Sequence, residues 1–270
     1  MTGNMTSNTD PIIRLQDLYT GYKVKGKDKV VSSHLNAALA PGTVTCLIGP
    51  NGTGKSTLLR TVAGFQSALG GQVLLYGKPV GQYTNEELAK LISIVLTNNS
   101  HIRNLTTYEV IGMGRSPYTD FWGRLGADDK KIVEDCIKLV GVEKVAHQAF
   151  QTLSDGERQK AMIAKAVAQQ TPVILLDEPT AFLYYPNKVS MMTMLRRFAH
   201  EMGKTILLSI HDIDLALQTA DNIWLLKESG ELIDGTPGQL CNDGTIEREI
   251  VNDNIRFDRQ RRTFTIQLQQ

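Results

Sequence analysis

The feature that most constrains the fold is a glycine-rich segment between an apolar run and a helical pattern. Residues 49–57 read G-P-N-G-T-G-K-S-T, which contains the pattern G-x-x-x-x-G-K-[ST]. The preceding run, Thr43 to Ile48, predicts a buried strand, and Lys55 to Ala63 predicts a helix. A glycine-rich turn in this position offers backbone N–H groups and the positive end of a helix to an anion. The segment therefore predicts a phosphate-binding loop.

The side chains of this loop predict separate roles in holding a nucleotide. Lys55 supplies a positive charge for the β- and γ-phosphates, and with the metal it is expected to stabilise the charge of the transferring phosphoryl group in catalysis. Ser56 supplies a hydroxyl for Mg²⁺. The alternative is a glycine-rich turn that caps a helix and binds nothing, and the combination of strand, loop, lysine and serine argues against it. The other residues expected to contact the nucleotide are Gly49, Asn51, Gly52, Thr53, Gly54 and Thr57.

Two acidic residues follow a second apolar run, Pro172 to Leu176, which also predicts a strand. Ligand sites of open α/β sheets lie at the carboxyl ends of strands, where Asp177 and Glu178 stand. We expect Asp177 to hold Mg²⁺, directly or through water, and Glu178 to orient or deprotonate the water that attacks the terminal phosphate. The alternative is an acidic strand end before a turn at Pro179.

Strand and helix patterns alternate along the chain, which predicts an α/β fold with a mostly parallel sheet covered on both faces. The strand pattern is missing from about 106–151, which predicts a helical subdomain. We expect one domain over residues 1–270, with a C-terminal extension at about 238–270. Further strands are predicted at Gln72–Tyr76, Leu91–Leu96, Thr205–Ile210, Asn222–Leu226 and Glu231–Asp234. Further helices are predicted at Asn85–Lys90, Tyr108–Gly114, Ala127–Val140, Asp155–Gln169, Ser190–Met202 and Ile213–Ala220.

The composition argues against some partners and compartments. Twenty-nine Lys plus Arg and 28 Asp plus Glu give a net charge of +1, so no global field attracts nucleic acid. The polar start, Met1 to Pro11, indicates no signal peptide, and no apolar run approaches the roughly 20 residues that cross a bilayer. Three widely spaced cysteines, Cys46, Cys136 and Cys241, indicate buried thiols in a reducing cytoplasm.

A third motif carries a family resemblance. Residues 153–159 read L-S-D-G-E-R-Q and resemble the LSGGQ signature of ABC transporter ATPases. The resemblance implies a P-loop NTPase fold with an added antiparallel β subdomain, and ATP with Mg²⁺ as ligands. It also implies a head-to-tail homodimer in which Ser154 and the N–H groups at Gly156 contact ATP on the opposite subunit. The alternative is a capping box, because Ser154 and Glu157 have S-x-x-E spacing, and both can hold.

The same resemblance assigns three further residues. Tyr22 is similar to the aromatic residue that stacks on adenine, although a tyrosine near a first strand is otherwise usually a core residue. His211 is similar to the histidine that senses the γ-phosphate, against the alternative of a structural histidine. Thr97 stands where the family has a glutamine near the metal. Two other departures are Asp155, in place of the first signature glycine, and Tyr184, in place of an aspartate at the dimer interface.

Residues 112–118 read G-M-G-R-S-P-Y and resemble the G-R-x-P-[HY] segment of ATPases that power bacterial import of iron chelates, haem and cobalamin. The alternative is an Arg-Pro turn with local aromatic packing. The resemblance implies a peripheral protein on the cytoplasmic face of the inner membrane. It also implies that the helical subdomain and the loop near Thr97 receive a short cytoplasmic helix of a membrane-spanning permease. The cargo would contact the permease and an external binding protein.

Two other functions remain as alternatives. A soluble ABC ATPase acting on nucleic acid or ribosomes usually carries a coiled-coil insertion or two cassettes, and this chain has one phosphate loop and no heptad run. A low-turnover regulatory module is suggested by Thr97 and Tyr184. Glu178 and His211 argue against it.

Overall fold

The computed structural model describes residues 10–24, 26–96, 102–120, 122–251 and 254–267. The strands are β1 (Ile13–Val24), β2 (Lys27–Leu39), β3 (Val44–Ile48), β4 (Gly70–Leu75), β5 (Lys78–Pro79), β6 (Ile92–Val95), β7 (Val173–Leu176), β8 (Thr205–Ser209), β9 (Asn222–Leu226), β10 (Leu232–Gly235), β11 (Ile255–Asp258) and β12 (Thr263–Ile266). The helices are α1 (Lys55–Val62), α2 (Asn85–Leu91), α3 (Thr107–Gly112), α4 (Ala127–Val140), α5 (Asp155–Ala168), α6 (Tyr185–Met202), α7 (Ile213–Thr219), α8 (Pro237–Asn242) and α9 (Thr245–Ile250).

The central sheet has the strand order β10-β9-β3-β8-β7-β6, and all neighbours are parallel except β10 and β9. Every residue of β3, β7 and β8 is buried, as expected for parallel strands covered on both faces. Because β3, β8 and β7 are adjacent and parallel, the segments that follow them emerge at one edge of the sheet. This topology places the phosphate loop, the two acids and the segment at His211 together.

A second sheet, with the order β2-β1-β4-β5, is antiparallel. It shares a core with α1 and one face of the central sheet, where Leu15, Leu58 and Trp224 are fully or almost fully buried. This is the antiparallel β subdomain that the family resemblance implies. The pairing of β1 with β2 shifts register at three places, so neither strand keeps a simple alternating pattern.

The helical segment consists of α3, α4 and α5 with a short 3-10 helix at Met113–Tyr118. An isolated antiparallel bridge joins Thr106 to Ala149, close to the two ends of the predicted subdomain. Buried residues of all three α-helices form a core that continues to the central sheet. The helical segment is therefore packed directly against the sheet.

Most predicted elements agree with the structure to within two residues at each end. Helix α6 begins at Tyr185 rather than Ser190, because Pro186 occupies the first turn, where proline is well tolerated. All three cysteines are free and buried, as predicted. In the part of the chain that the structure describes, no helix is long and apolar enough to span a membrane.

Candidate functional site

The phosphate loop is shaped by glycines in conformations that other residues rarely adopt. Gly54 is the N-cap of α1 and has φ of 99°. A Cβ atom at Gly54 would lie 2.5 Å from Val31 Cγ1, and one at Gly49 would lie 2.2 Å from the Leu226 carbonyl oxygen. The loop therefore passes close to β2 and β9 and requires glycine at both positions.

The Lys55 side chain folds back over the loop and is buried. Its ammonium donates hydrogen bonds to the carbonyl oxygens of Gly49 at 2.7 Å and Pro50 at 2.9 Å. Burial lowers the Lys55 pKa, and the negative charges of Glu178 and Asp177 partly oppose that shift. Phosphate oxygens would form stronger, charge-assisted bonds with this ammonium than the two carbonyls do. The loop thus fits a nucleotide phosphate.

Asp177 lies at the carboxyl end of β7 and is almost completely buried. Its Oδ1 accepts hydrogen bonds from Ser56 Oγ at 3.0 Å and Ser209 Oγ at 2.8 Å. Carboxylate and hydroxyl oxygens are the ligands that Mg²⁺ prefers. Ser56 and Asp177, which the sequence assigns to Mg²⁺, are therefore in direct contact, and the oxygen donors fit that ion.

Glu178 has φ of 50°, a left-handed conformation that is uncommon for a residue other than glycine. Its backbone N–H donates to Ser209 Oγ at 2.8 Å, and its Oε1 lies 2.6 Å from His211 Nε2. The structure thus brings together Glu178 and His211, which the sequence analysis assigns to separate roles in the site. Ser209 contacts both acids, a role that sequence reasoning missed. The available signal was a polar residue that follows the apolar residues 206–208 at the end of strand β8.

The signature segment caps α5. Ser154 Oγ accepts from the Glu157 backbone N–H at 3.4 Å, and the Ser154 backbone N–H donates to Glu157 Oε2 at 3.0 Å, which together form a capping box. Ser154 Oγ also donates to Glu157 Oε2 at 2.6 Å, and the hydrogen bonds from Ser154 lower the Glu157 pKa. Asp155 pairs with Arg158 at 3.1 Å, so its added negative charge is partly offset. Gly156 faces Leu183: a Cβ atom added at Gly156 would lie 3.7 Å from Leu183 Cδ2. Among the described residues, no hydrogen bond joins Ser154 to the chain's own phosphate loop.

Tyr22, assigned by resemblance, and Tyr184, a departure from the family pattern, are both exposed at the surface. Tyr22 lies near the end of β1 with 44% of its surface exposed, and Lys29 Nζ is 5.4 Å from the ring centre. The alternative of a core tyrosine is therefore wrong. Tyr184 lies before α6 and is 76% exposed. Thr97 lies outside the described residues.

Arg115 of the G-R-x-P-[HY] segment is buried in the helical segment. Its guanidinium donates to Asp129 Oδ1 at 2.9 Å, to the Ala168 carbonyl at 2.8 Å and to Gln170 Oε1 at 2.9 Å. The Tyr118 ring lies 4.1 Å from the Arg115 Cζ atom. Arg115 and Tyr118 therefore connect the 3-10 helix, α4 and the end of α5, as the alternative of local packing proposes.

Comparison with known proteins reveals an extensive similarity. The family model described as "ABC transporter" matches residues 32–181. An uncharacterized ABC transporter ATP-binding protein of Methanocaldococcus jannaschii is 39% identical over 242 residues, which cover 90% of this chain and 80% of that protein. The petrobactin import ATP-binding protein FpuC of Bacillus anthracis is 37% identical over 211 residues, covering 78% of each chain.

A solved structure agrees with the fold. It is a dimeric post-hydrolysis state of an ATP-binding cassette bound to ADP and Pi. Its TM-score is 0.73 at 26% identity, and the match covers 83% of this chain and 98% of that one.

Proposed function

This chain belongs to the ABC transporter family of ATP-binding proteins, and from that premise we propose that it powers a bacterial importer of iron chelates (siderophores), haem or cobalamin. The chain binds ATP, and its family consists of ATPases coupled to transport. The observation that carries the catalytic part of the proposal is the hydrogen-bond network through Ser56, Asp177, Ser209, Glu178 and His211.

The phosphate loop and Lys55 bind the substrate's phosphates. In this proposal, the Lys55 ammonium exchanges its two carbonyl acceptors for β- and γ-phosphate oxygens. Ser56 and Asp177 would hold Mg²⁺, which when bound neutralises phosphate charge. Ser209 keeps the Asp177 carboxylate oriented, because it donates a hydrogen bond to the same oxygen that Ser56 contacts.

Glu178 acts on the water that attacks the γ-phosphate. Its backbone is fixed by Ser209 and its carboxylate by His211, so its orientation is set before substrate arrives. Glu178 orients that water or accepts its proton. We assign His211 the role of sensing the γ-phosphate. Its imidazole lies beside the Glu178 carboxylate and could donate to a γ-phosphate oxygen in place of that carboxylate.

The second half of each site comes from another copy of the chain. Ser154 is exposed and makes no hydrogen bond to the phosphate loop of its own chain, among the described residues. In a head-to-tail homodimer, Ser154 and the N–H groups at Gly156 would contact ATP bound to the partner, and Tyr22 would stack on the adenine of its own site. The dimeric cassette of similar fold supports this arrangement.

The transport part of the proposal rests on relatives such as FpuC, which is named for petrobactin import. The chain would bind a membrane-spanning permease at the cytoplasmic face of the inner membrane, and an external binding protein would deliver the cargo. The ATPase thus supplies energy and does not contact the cargo.

Gene deletion with complementation tests this function. Cells without the gene are grown with iron supplied as a siderophore, with haem or with cobalamin limiting, and radiolabelled uptake is measured. We expect at least one uptake to fail, the wild-type gene to restore it and Lys55→Ala not to restore it, because the variant lacks the loop's side-chain cation. Normal uptake of all three in the deletion strain would overturn the substrate class.

A further inference from the structure

A groove of about 810 Å³ lies on the surface where the helical segment meets the central sheet. Its walls come from α2, the end of β6, the 3-10 helix and α5, with Phe65 at one side. Most residues that line it are apolar, and Phe65 remains 68% exposed. An open apolar groove with walls from several elements suits an amphipathic helix.

The two sides of the groove are tied together without a partner. Gln169 Nε2, at the end of α5, donates to the carbonyl oxygens of Ala89 at 2.6 Å and Ile92 at 3.2 Å. Tyr118 Oη donates to the Gln169 carbonyl at 3.1 Å. These bonds connect α5 with α2, β6 and the 3-10 helix, so the groove is formed before binding.

Lys165 is, within the described ranges, the one charged side chain that lines this groove. Burial lowers the Lys165 pKa, and no neighbouring charge opposes the shift. No described acceptor lies within hydrogen-bond distance of its ammonium. Burial also lowers the pKa of Lys204. Lys204 differs from Lys165 because its ammonium donates to the Thr171 carbonyl at 2.7 Å. A partly buried ammonium without an acceptor carries a desolvation cost that a bound carboxylate would offset.

We propose that Lys165 pairs with an acidic side chain on the permease's short cytoplasmic helix, and that this pair sets the register of that helix in the groove. The proposal rests on the function proposed above. Apolar walls strengthen an ion pair by excluding water, and the positive charge of Lys165 disfavours a basic side chain at the same position. The apolar surface supplies area for binding, whereas Lys165 supplies selectivity.

The test measures binding of the purified protein to its permease in lipid nanodiscs. Lys165→Met and Lys165→Glu are compared with wild type and with Lys131→Met, which removes an exposed lysine of α4 outside the groove. We expect about tenfold weaker binding for Lys165→Met, a larger loss for Lys165→Glu and no change for Lys131→Met. ATPase activity of the isolated proteins should be equal in all four.

Charge exchange identifies the partner residue. Each acidic residue of the permease's cytoplasmic loops is changed to lysine, and we expect one such change to restore binding of Lys165→Glu. If wild type binds and Lys165→Met binds equally well, the ion pair is wrong while the transport function stands. If no exchange restores binding, the partner group is not a permease carboxylate. A wild-type protein that binds no permease contradicts the transport function itself.

Discussion

Removing the buried Arg115 guanidinium tests how the helical segment is held together. Arg115→Met keeps an apolar chain of similar length but removes the guanidinium that donates to Asp129, the Ala168 carbonyl and Gln170. The side chains of Arg115 and Asp129 are 6% and 16% exposed. Breaking a buried ion pair costs about 3–5 kcal/mol, and the partial exposure of Asp129 favours the lower end, about 3 kcal/mol.

That loss corresponds to a fall in melting temperature of roughly 6–12 °C, at about 2–4 °C per kcal/mol for a domain of this size. Thermal unfolding followed by circular dichroism at neutral pH measures it, with the exposed Arg124→Met as the matched control. Because the Arg115 hydrogen bond lowers the Asp129 pKa, the stabilisation is present above the ordinary aspartate pKa and is lost as the pH falls below it. A melting temperature equal to that of Arg124→Met would refute the reasoning.

Two further substitutions test the active-site loop and the C-terminal hairpin. Tyr184→Asp should raise the Hill coefficient for ATP hydrolysis without changing the nucleotide affinity of the monomer, because the exposed residue would contact only the opposite subunit. An unchanged Hill coefficient in a folded dimer would count against this prediction. Asp214 accepts from the Phe264 N–H of the β11–β12 hairpin, and burial raises the Asp214 pKa. Its ionised form is therefore disfavoured in the folded state, and stability is lost as the pH rises through the raised pKa. Asp214→Asn keeps an acceptor and should raise stability to urea at neutral pH but not at a pH below the ordinary aspartate pKa; a gain independent of pH would contradict this.

The phosphate loop was predictable because its requirements are local. Glycines, Lys55 and Ser56 follow a strand within a single short segment, and Asp177 and Glu178 directly follow a second apolar run. Topology then determines that these segments meet. By contrast, Ser209 gains its role only because β8 lies beside β7 in a register that pairs Leu208 with Leu176.

Other features depend on contacts that no local pattern records. Strands β1 and β2 were not predicted from alternation, because their bulges include Asp17 and His34 with positive φ. Arg115 matches an importer motif, yet its partners Asp129 and Ala168 are 14 and 53 residues away in the chain. The motif was recognisable, whereas the structural role of its arginine required the packed helices.

Glu178→Gln addresses the proposed catalytic site most directly. The substitution keeps the size of the side chain and a hydrogen bond to His211. It removes the carboxylate that orients the attacking water or accepts its proton. Phosphate release from ATP and Mg²⁺ should fall by about 10²- to 10⁴-fold relative to wild type, while ATP binding persists and gel filtration shows a nucleotide-bound dimer. Wild-type turnover by Glu178→Gln would contradict the assignment of Glu178 as the residue that activates water.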